Sequence, residues 1–414
     1  MKKVFFVGIC GVSMSALAVM MKEKGYTVFG CDKNYSNKPK LLEIHNINVV
    51  PEDDCKIIEE FDTIVFSSAI KKNHPVYLYT KNKKCLTRGQ LLGLISNDYE
   101  KVIAVAGSHG KSTTTAMIYH ILKIAGKNPT LHLGALLSNE GTNVVIGGNE
   151  FFICEACEYY DNFLNLSPYL SVITNLEKEH LDYFKTFENE KRSFEKFQKQ
   201  SKHVLTKTNY HAKKIRINRR GGVTFSLCKD EKEIQKIELK IGGFYNVKNA
   251  IFAYEACQKL GVSSSIISLS LKTFSGIEKR LDRRKLCDKN IIIDYAHHPT
   301  EIKNAYEYLR KIPQKINVVF QPHTFSRTRD LLNEFTMVLS KIDNLILYKT
   351  FDAREKEEEG ISAKKLTEIL KKKKTDVRYF EEIQDVENLI SNQKEDEITV
   401  LMGAGDLPEK LKIY

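Results

Sequence analysis

Three times along the chain, a short apolar run passes through a turn of glycine or polar residues into a helical stretch. The first run is Lys3–Val7, with its turn at 8–13 and a helix of Ala, Leu and Met ending near Gly25. The second occupies 102–106, with a turn at 107–111 and a helix to about Gly126. The third occupies 290–294, with a turn at 295–300 and a helix from near Glu301. Further strand-like runs fall at 63–67, Phe151–Glu155, 171–175, 317–320, Asn344–Tyr348 and Glu397–Met402. Repeated strand–turn–helix units predict an α/β fold with mainly parallel sheets. Their spacing predicts three domains, 1–97, 98–281 and 282–414, in keeping with a chain of 414 residues at ~150 residues per domain.

Composition narrows the class. With 42% hydrophobic and 28% charged residues, the chain reads as globular. No apolar stretch approaches the ~18 residues of a membrane-spanning helix. The apolar N-terminal run is interrupted by Gly8 and Gly11 and lacks a small-residue cleavage site. It therefore reads as a first strand rather than a secretion signal, and the expected compartment is the cytoplasm. The nine cysteines include a single CxxC pair, Cys154 and Cys157, with no second Cys or His pair at zinc-type spacing, so buried or neutral thiols are expected and no structural zinc. A net charge of +12 raises the question of nucleic acid. Residues 1–97 carry 14 basic and 9 acidic groups, 98–281 carry 26 and 19, and 282–414 carry 24 of each. The excess is diffuse and no nucleic-acid-binding signature accompanies it. The lysines at 371–374 read as a solvated helix end and the glutamates at 357–359 as an exposed loop. A diffuse positive bias suits small anionic ligands, and no nucleic-acid partner is expected.

The strongest chemistry lies at 106–114, AGSHGKSTT, between an apolar strand and a helix. Gly107 and Gly110 allow a tight turn that aims backbone N–H groups at phosphate oxygens, and the helix N-terminus adds positive potential. Ser108 and His109 lie between them. Lys111 is expected to hold the β- and γ-phosphates, and Ser112 or Thr113 to reach Mg²⁺. Only two residues separate the glycines, fewer than in the common GxxxxGK[ST] loop. The opening GxxGxxxS at 8–15 is likewise not the dinucleotide GxGxxG.

Other blocks fall in order along the chain: GICGVSMS at 8–15, SSAI at 67–70, EACEY at 155–159, TNLEKEHLD at 174–182, NVKNA at 246–250, DYAHHPT at 294–300, FQPHTFSRT at 320–328, ARE at 353–355 and GAGD at 403–406. With the GSHGKST loop, they make nearly the whole chain resemble the Mur ligase family, the ATP-dependent amide-bond-forming enzymes of peptidoglycan assembly. The resemblance implies a Rossmann-like N-terminal domain for a UDP-sugar, a central phosphate-loop ATPase-like parallel sheet and a Rossmann-like C-terminal domain for an amino acid.

It also implies roles. Gly107, Ser108, His109, Gly110, Lys111, Ser112 and Thr113 would bind ATP, together with Asn246, Asn249 and Asp294. Two Mg²⁺ ions are expected, with Ser112, Glu158 and His180 as ligands; Glu155 and Asn175 are neighbours, and Glu179 and Asp182 flank the histidine. No carbamylated lysine is expected. Gly8, Gly11, Ser13, Asp32, Ser67 and Ser68 would contact the UDP-sugar. Tyr295, His297, His323 and Arg327 would receive the amino acid, since an α-carboxylate is matched by an arginine fork. Arg280 falls on a family arginine that reaches the phosphates, although a plain surface arginine fits the sequence too. Tyr245 stands where the family usually has His, and Thr324 where some relatives carry a second arginine. Asn246 and Asn249 and the His297–His298 pair also read as ordinary helix-entry residues.

The implied substrates are UDP-N-acetylmuramate, L-alanine and ATP, and the implied catalytic set is Lys111, His180, Arg280, His297 and Arg327. A carboxylate would attack the γ-phosphate, and an amine would then displace phosphate from the acyl phosphate. The base for the amine is open between His297, His298 and a water near the metal. A tripeptide-adding enzyme of the same family and a plain phosphate-loop NTPase or kinase remain as alternatives.

Overall fold

The computed structural model describes residues 2–413 apart from Lys71, Lys72, Glu179, Arg354, Glu358, Glu359, Lys374 and Thr375, and leaves the side chains of Cys55, Leu181 and Asp182 undescribed. The architecture is three-domain α/β, built on three sheets of five or six strands that are largely parallel.

The chain divides into two compact units: 1–211, 227–232 and 249–274 in the first, and 212–226, 233–248 and 275–414 in the second. The first unit holds two of the large sheets. In one, the strands run Asn48–Pro51, Thr27–Asp32, Lys3–Val7, Thr63–Phe66, Lys84–Thr87, all parallel. In the other they run His203–Leu205, Leu170–Ile173, Lys101–Ala106, Phe151–Glu155, Thr130–His132, Val144–Val145, and only the last pair is antiparallel. One continuous core serves both, from Val4, Phe6 and Leu17 to Ala104, Phe152 and Phe197. The central strands are apolar at nearly every position, as strands covered on both faces must be.

In the second unit the sheet runs Asp282–Leu286, Lys289–Asp294, Glu397–Met402, Lys315–Phe320, Asn344–Tyr348, Arg378–Phe380, antiparallel only in its first pair. Its core gathers Ile291, Val319, Ile346, Tyr348 and Leu401.

The three expected strand–turn–helix units are present, with helices Val12–Glu23, Lys111–Ile124 and Pro299–Leu309. The last starts two residues before the expected Glu301, because Pro299 takes the first helical position, where its missing N–H costs nothing. The strand expected at 171–175 is Leu170–Ile173: Thr174 and Asn175 leave the sheet to brace the phosphate loop. A three-stranded sheet of Tyr210–Ile217, Val223–Lys229 and Lys232–Leu239 escapes the hydrophobic pattern. Two of its strands, YHAKKIRI and KEIQKIEL, carry charge at three and four of their eight positions and are exposed at half of them.

Candidate active site

The phosphate loop joins Lys101–Ala106 to Lys111–Ile124 in the first unit. Gly107 and Gly110 have φ of +125° and +82°, a region glycine enters at little cost. A Cβ at Gly110 would collide with the Asn249 side chain, and one at Gly107 with Thr174 and Asn175. The neighbouring strand end fixes the loop. Asn175 Oδ1 accepts from His109 N at 2.8 Å; its Nδ2 and the Thr174 hydroxyl donate to His109 O at 2.8 and 2.6 Å. Ser108 N donates to Asn175 O, and the Ser108 hydroxyl exchanges hydrogen bonds with the Glu177 backbone. Ser108 and His109 N–H groups thus shape the loop. Among the described residues, the amides of Gly110, Ser112 and Thr113 are left open.

Lys111 Nζ folds back to donate to Gly107 O (2.6 Å), Ser108 O (3.2 Å) and Glu158 Oε1 (3.0 Å). Glu158 is 1% exposed. Burial alone would raise its carboxyl, but Lys111 and hydrogen bonds from His180 and its own backbone draw it down to about 2. His180 Nε2 lies 3.5 Å from Glu158 Oε1, and its ring stacks on Tyr159 at 4.5 Å. The other oxygen of Glu158, Oε2, is buried without a hydrogen-bond partner. A buried anionic oxygen with an open lone pair, on a carboxylate bonded to the loop lysine, fits Mg²⁺, which takes one or two carboxylates and completes its shell with phosphate oxygens and water. Among the described residues, no group of three or more His, Cys, Asp or Glu side chains gathers as a metal cage. Glu155 points elsewhere: its Oε1 accepts from Gly134 N at 2.6 Å. Glu179 and the side chain of Asp182 lie outside the described residues.

At the first sheet, Gly8 (φ +81°) packs so closely on Ser67 that a Cβ would stand 2.9 Å from the serine Cβ. The expected amide cradle is largely engaged already. Gly8 N and Ile9 N donate to Cys31 O, Gly11 N to Gly8 O, and Cys10 N to Asp32 Oδ2 at 2.9 Å. Asp32 Oδ1 accepts from Asn34 N at 2.9 Å, so this acid braces the loop. Ser67 Oγ accepts from Ala69 N, and Ser68 is exposed. Two residues absent from the sequence reading meet on Ser13: Arg88 NH1 donates to Ser13 Oγ at 3.1 Å, and His132 Nε2 lies 3.0 Å from the same oxygen. One sequence signal was available, since Arg88 is the sole arginine of residues 1–97.

In the second unit, Lys279 and Leu281 adopt left-handed φ on either side of Arg280. Arg280 NH1 contacts Glu301 Oε1 at 3.2 Å, and its guanidinium lies 5.5 Å from the Tyr295 ring centre. Glu301, which the sequence marked only as a helix start, accepts from His297 N as well. Buried Asp294 accepts from Leu281 N and Ala296 N, each at 2.8 Å; burial lifts it to about 6 against the pull of Arg280. His297 Nδ1 lies 3.0 Å from Tyr295 O, and burial lowers its ring to about 4. His323 is lowered to about 4 by burial and by Arg327, whose NH1 is 3.4 Å from its Nδ1. Among the described residues Arg327 meets no carboxylate. Two neutral imidazoles beside an uncompensated guanidinium can accept a small carboxylate. Thr324 (φ +67°) caps the helix Phe325–Asp330 that carries Arg327, and Glu355 binds Ser326 N and Oγ. His298 caps its helix through Thr300 N, and Asn246 Nδ2 donates to Gly242 O at 2.7 Å. Tyr245 is half-buried, and burial together with the charge of Asp294 raises its hydroxyl well above the ordinary value. Asn246 belongs to the second unit and Asn249 to the first.

Residues 3–100 match the Mur ligase family catalytic domain, 105–206 the Mur ligase middle domain and 279–405 the Mur ligase glutamate ligase domain. The chain is 38% identical to a UDP-N-acetylmuramate–L-alanine ligase of Caldicellulosiruptor bescii, covering 100% of this chain and 98% of the relative. It is 35% identical to one of Acetivibrio thermocellus, covering 98% and 94%. Among solved structures, UDP-N-acetylmuramate-alanine ligase of Thermotoga maritima superimposes with a TM-score of 0.85 at 24% identity, covering 100% of this chain and 98% of that one. A murein peptide ligase of Psychrobacter arcticus gives 0.70 at 20% identity, with 100% and 98% covered.

Proposed function

The chain belongs to the Mur ligase family, and from that premise we propose that it joins L-alanine to the carboxylate of UDP-N-acetylmuramate at the expense of ATP. The observation that carries this reading is Glu158, buried at the phosphate loop with one oxygen on Lys111 and the other unpartnered. That arrangement suits phosphoryl transfer from a metal-bound triphosphate.

Lys111 would leave the loop carbonyls for the β- and γ-phosphates, with the amides of Gly110, Ser112 and Thr113 and the helix N-terminus beside it. Glu158, His180 and Ser112 would hold Mg²⁺, which supplies charge neutralisation on the phosphates. The sugar carboxylate attacks the γ-phosphorus, ADP leaves, and an acyl phosphate remains. The amine of alanine then attacks the acyl carbon, and phosphate departs with one former carboxylate oxygen. Arg327 would take the alanine carboxylate bidentately. His297, neutral at pH 7 with its Nδ1 donating to Tyr295 O, can accept a hydrogen bond from the amine at Nε2, and His323 stands beside it with its Nδ1 on Arg327. Asn246, Asn249 and Asp294 are assigned to the nucleoside of ATP, Arg280 to its phosphates, and Tyr295 to the amino-acid side.

The division of labour follows the sheets: 1–97 for the UDP-sugar through Gly8, Gly11, Ser13, Asp32, Ser67 and Ser68; 98–281 for ATP; 282–414 for the amino acid. The reaction belongs to peptidoglycan precursor synthesis, and we assign it to the cytoplasm. Phosphate release in the presence of ATP, Mg²⁺ and UDP-N-acetylmuramate tests the reading, with single amino acids and a tripeptide as acceptors. Release that requires L-alanine supports it. Release driven best by the tripeptide makes the protein a peptide-adding ligase, and release indifferent to any acceptor makes it an NTPase.

A further inference from the structure

We propose that Arg88 is the cation that receives the diphosphate of the nucleotide-sugar, beside Ser13 at the start of the helix Val12–Glu23. The inference deepens the UDP-sugar reading above and rests on it. A diphosphate needs several donors and at least one positive partner. The first loop is short of both. Its N–H groups at Gly8, Ile9, Cys10 and Gly11 are hydrogen-bonded within the chain, which leaves Val12, Ser13 and Met14 among the described residues.

Arg88 supplies what is missing. Its NH1 donates to Ser13 Oγ at 3.1 Å, a neutral partner. No carboxylate lies within ion-pair distance of it among the described residues. The guanidinium carries five N–H donors in a planar fork, so one bond to a hydroxyl leaves most of the fork for an anion. Arg88 is half-buried, and it opens a helix pinned by a reciprocal Thr87–Gln90 cap. Behind Ser13, His132 is 1% exposed, with Nε2 3.0 Å from Ser13 Oγ and 3.3 Å from Ser13 O and with Nδ1 unpartnered. Burial, then the charge of Arg88, lowers His132 to about 4, so the ring fixes the serine while adding no charge.

The test is calorimetric titration of the whole protein with UMP, UDP and ADP, in the wild type, Arg88→Met and Arg88→Lys. The wild type is expected to prefer UDP over UMP. In Arg88→Met that preference should shrink at least tenfold while ADP affinity holds, with Arg88→Lys intermediate. A preference for UDP over UMP that is unchanged in both variants overturns the proposal, even if overall stability drops. Should Arg88→Met fail to fold, Arg88→Lys gives the same reading. A wild type that binds neither uridine nucleotide overturns the UDP-sugar reading itself.

Discussion

Lys111 and Glu158 form a buried ion pair that carries two functions at once. Removing one partner of such a pair leaves the other charge stranded, which costs about 3 to 5 kcal/mol. Lys111→Ala should therefore destabilise the protein by roughly that much in chemical denaturation. Most of the loss should return in the double variant with Glu158→Gln. Phosphate release should be abolished in both, while UDP binding survives. Full loss of UDP binding in Lys111→Ala would contradict the separate siting of the two nucleotides. His132 gives a pH signature. Its pKa is lowered on folding, so the unfolded chain binds more protons. Stability is then complete above pH ~6.5 and falls as pH drops towards 4, by a total on the order of 3 kcal/mol. His297 and His323 act in the same direction. In denaturation at pH 7 and pH 4.5, His132→Gln should lose less stability than the wild type; an equal loss would show that His132 does not titrate this way. Lys111, Glu158 and Arg327 were legible because each sits in a dense local motif. Arg88, His132 and Glu301 were not, because each matters through a partner brought to it by the fold. The orphaned oxygen of Glu158 is likewise a property of packing.

Among elements, the two glycine turns are the most specified. Gly110→Ala places a Cβ against Asn249 at φ +82°, and Gly8→Ala places one against Ser67 at φ +81°. Left-handed φ alone costs a non-glycine residue about 1 to 2 kcal/mol, and both turns must also shift. Gly110→Ala should weaken ADP binding at least tenfold and spare UDP, and Gly8→Ala should do the reverse; calorimetry on the two variants reads both. Strand–turn–helix units were readable because apolar periodicity and glycine coincide there. The charged sheet from Tyr210 to Leu239 was not, since its strands carry Lys, Arg and Glu where the pattern seeks apolar residues. Strand ends shifted where a side chain had another task, as Thr174 and Asn175 do at His109.

For the whole molecule, sequence spacing marks three sheets, but contact does not divide the chain at 97. The core that begins at Val4 continues through Phe163 and Phe197, so two of the sheets belong to one compact unit. Continuity of a core depends on facing surfaces, which spacing along a chain does not encode. Three ligands must meet at one acyl carbon and water must be kept from the acyl phosphate, so ligand binding should compact the molecule. Small-angle scattering should record a smaller radius of gyration with UDP-N-acetylmuramate and a non-hydrolysable ATP analogue together than with neither. An unchanged radius would count against closure. The central claim is that the γ-phosphate passes to the sugar-borne carboxylate before the amine arrives. Its most direct test uses UDP-N-acetylmuramate with ¹⁸O in that carboxylate, ATP, Mg²⁺ and L-alanine, with mass analysis of the released phosphate. The account predicts that each phosphate carries one oxygen from the carboxylate; phosphate whose added oxygen comes from water would contradict it.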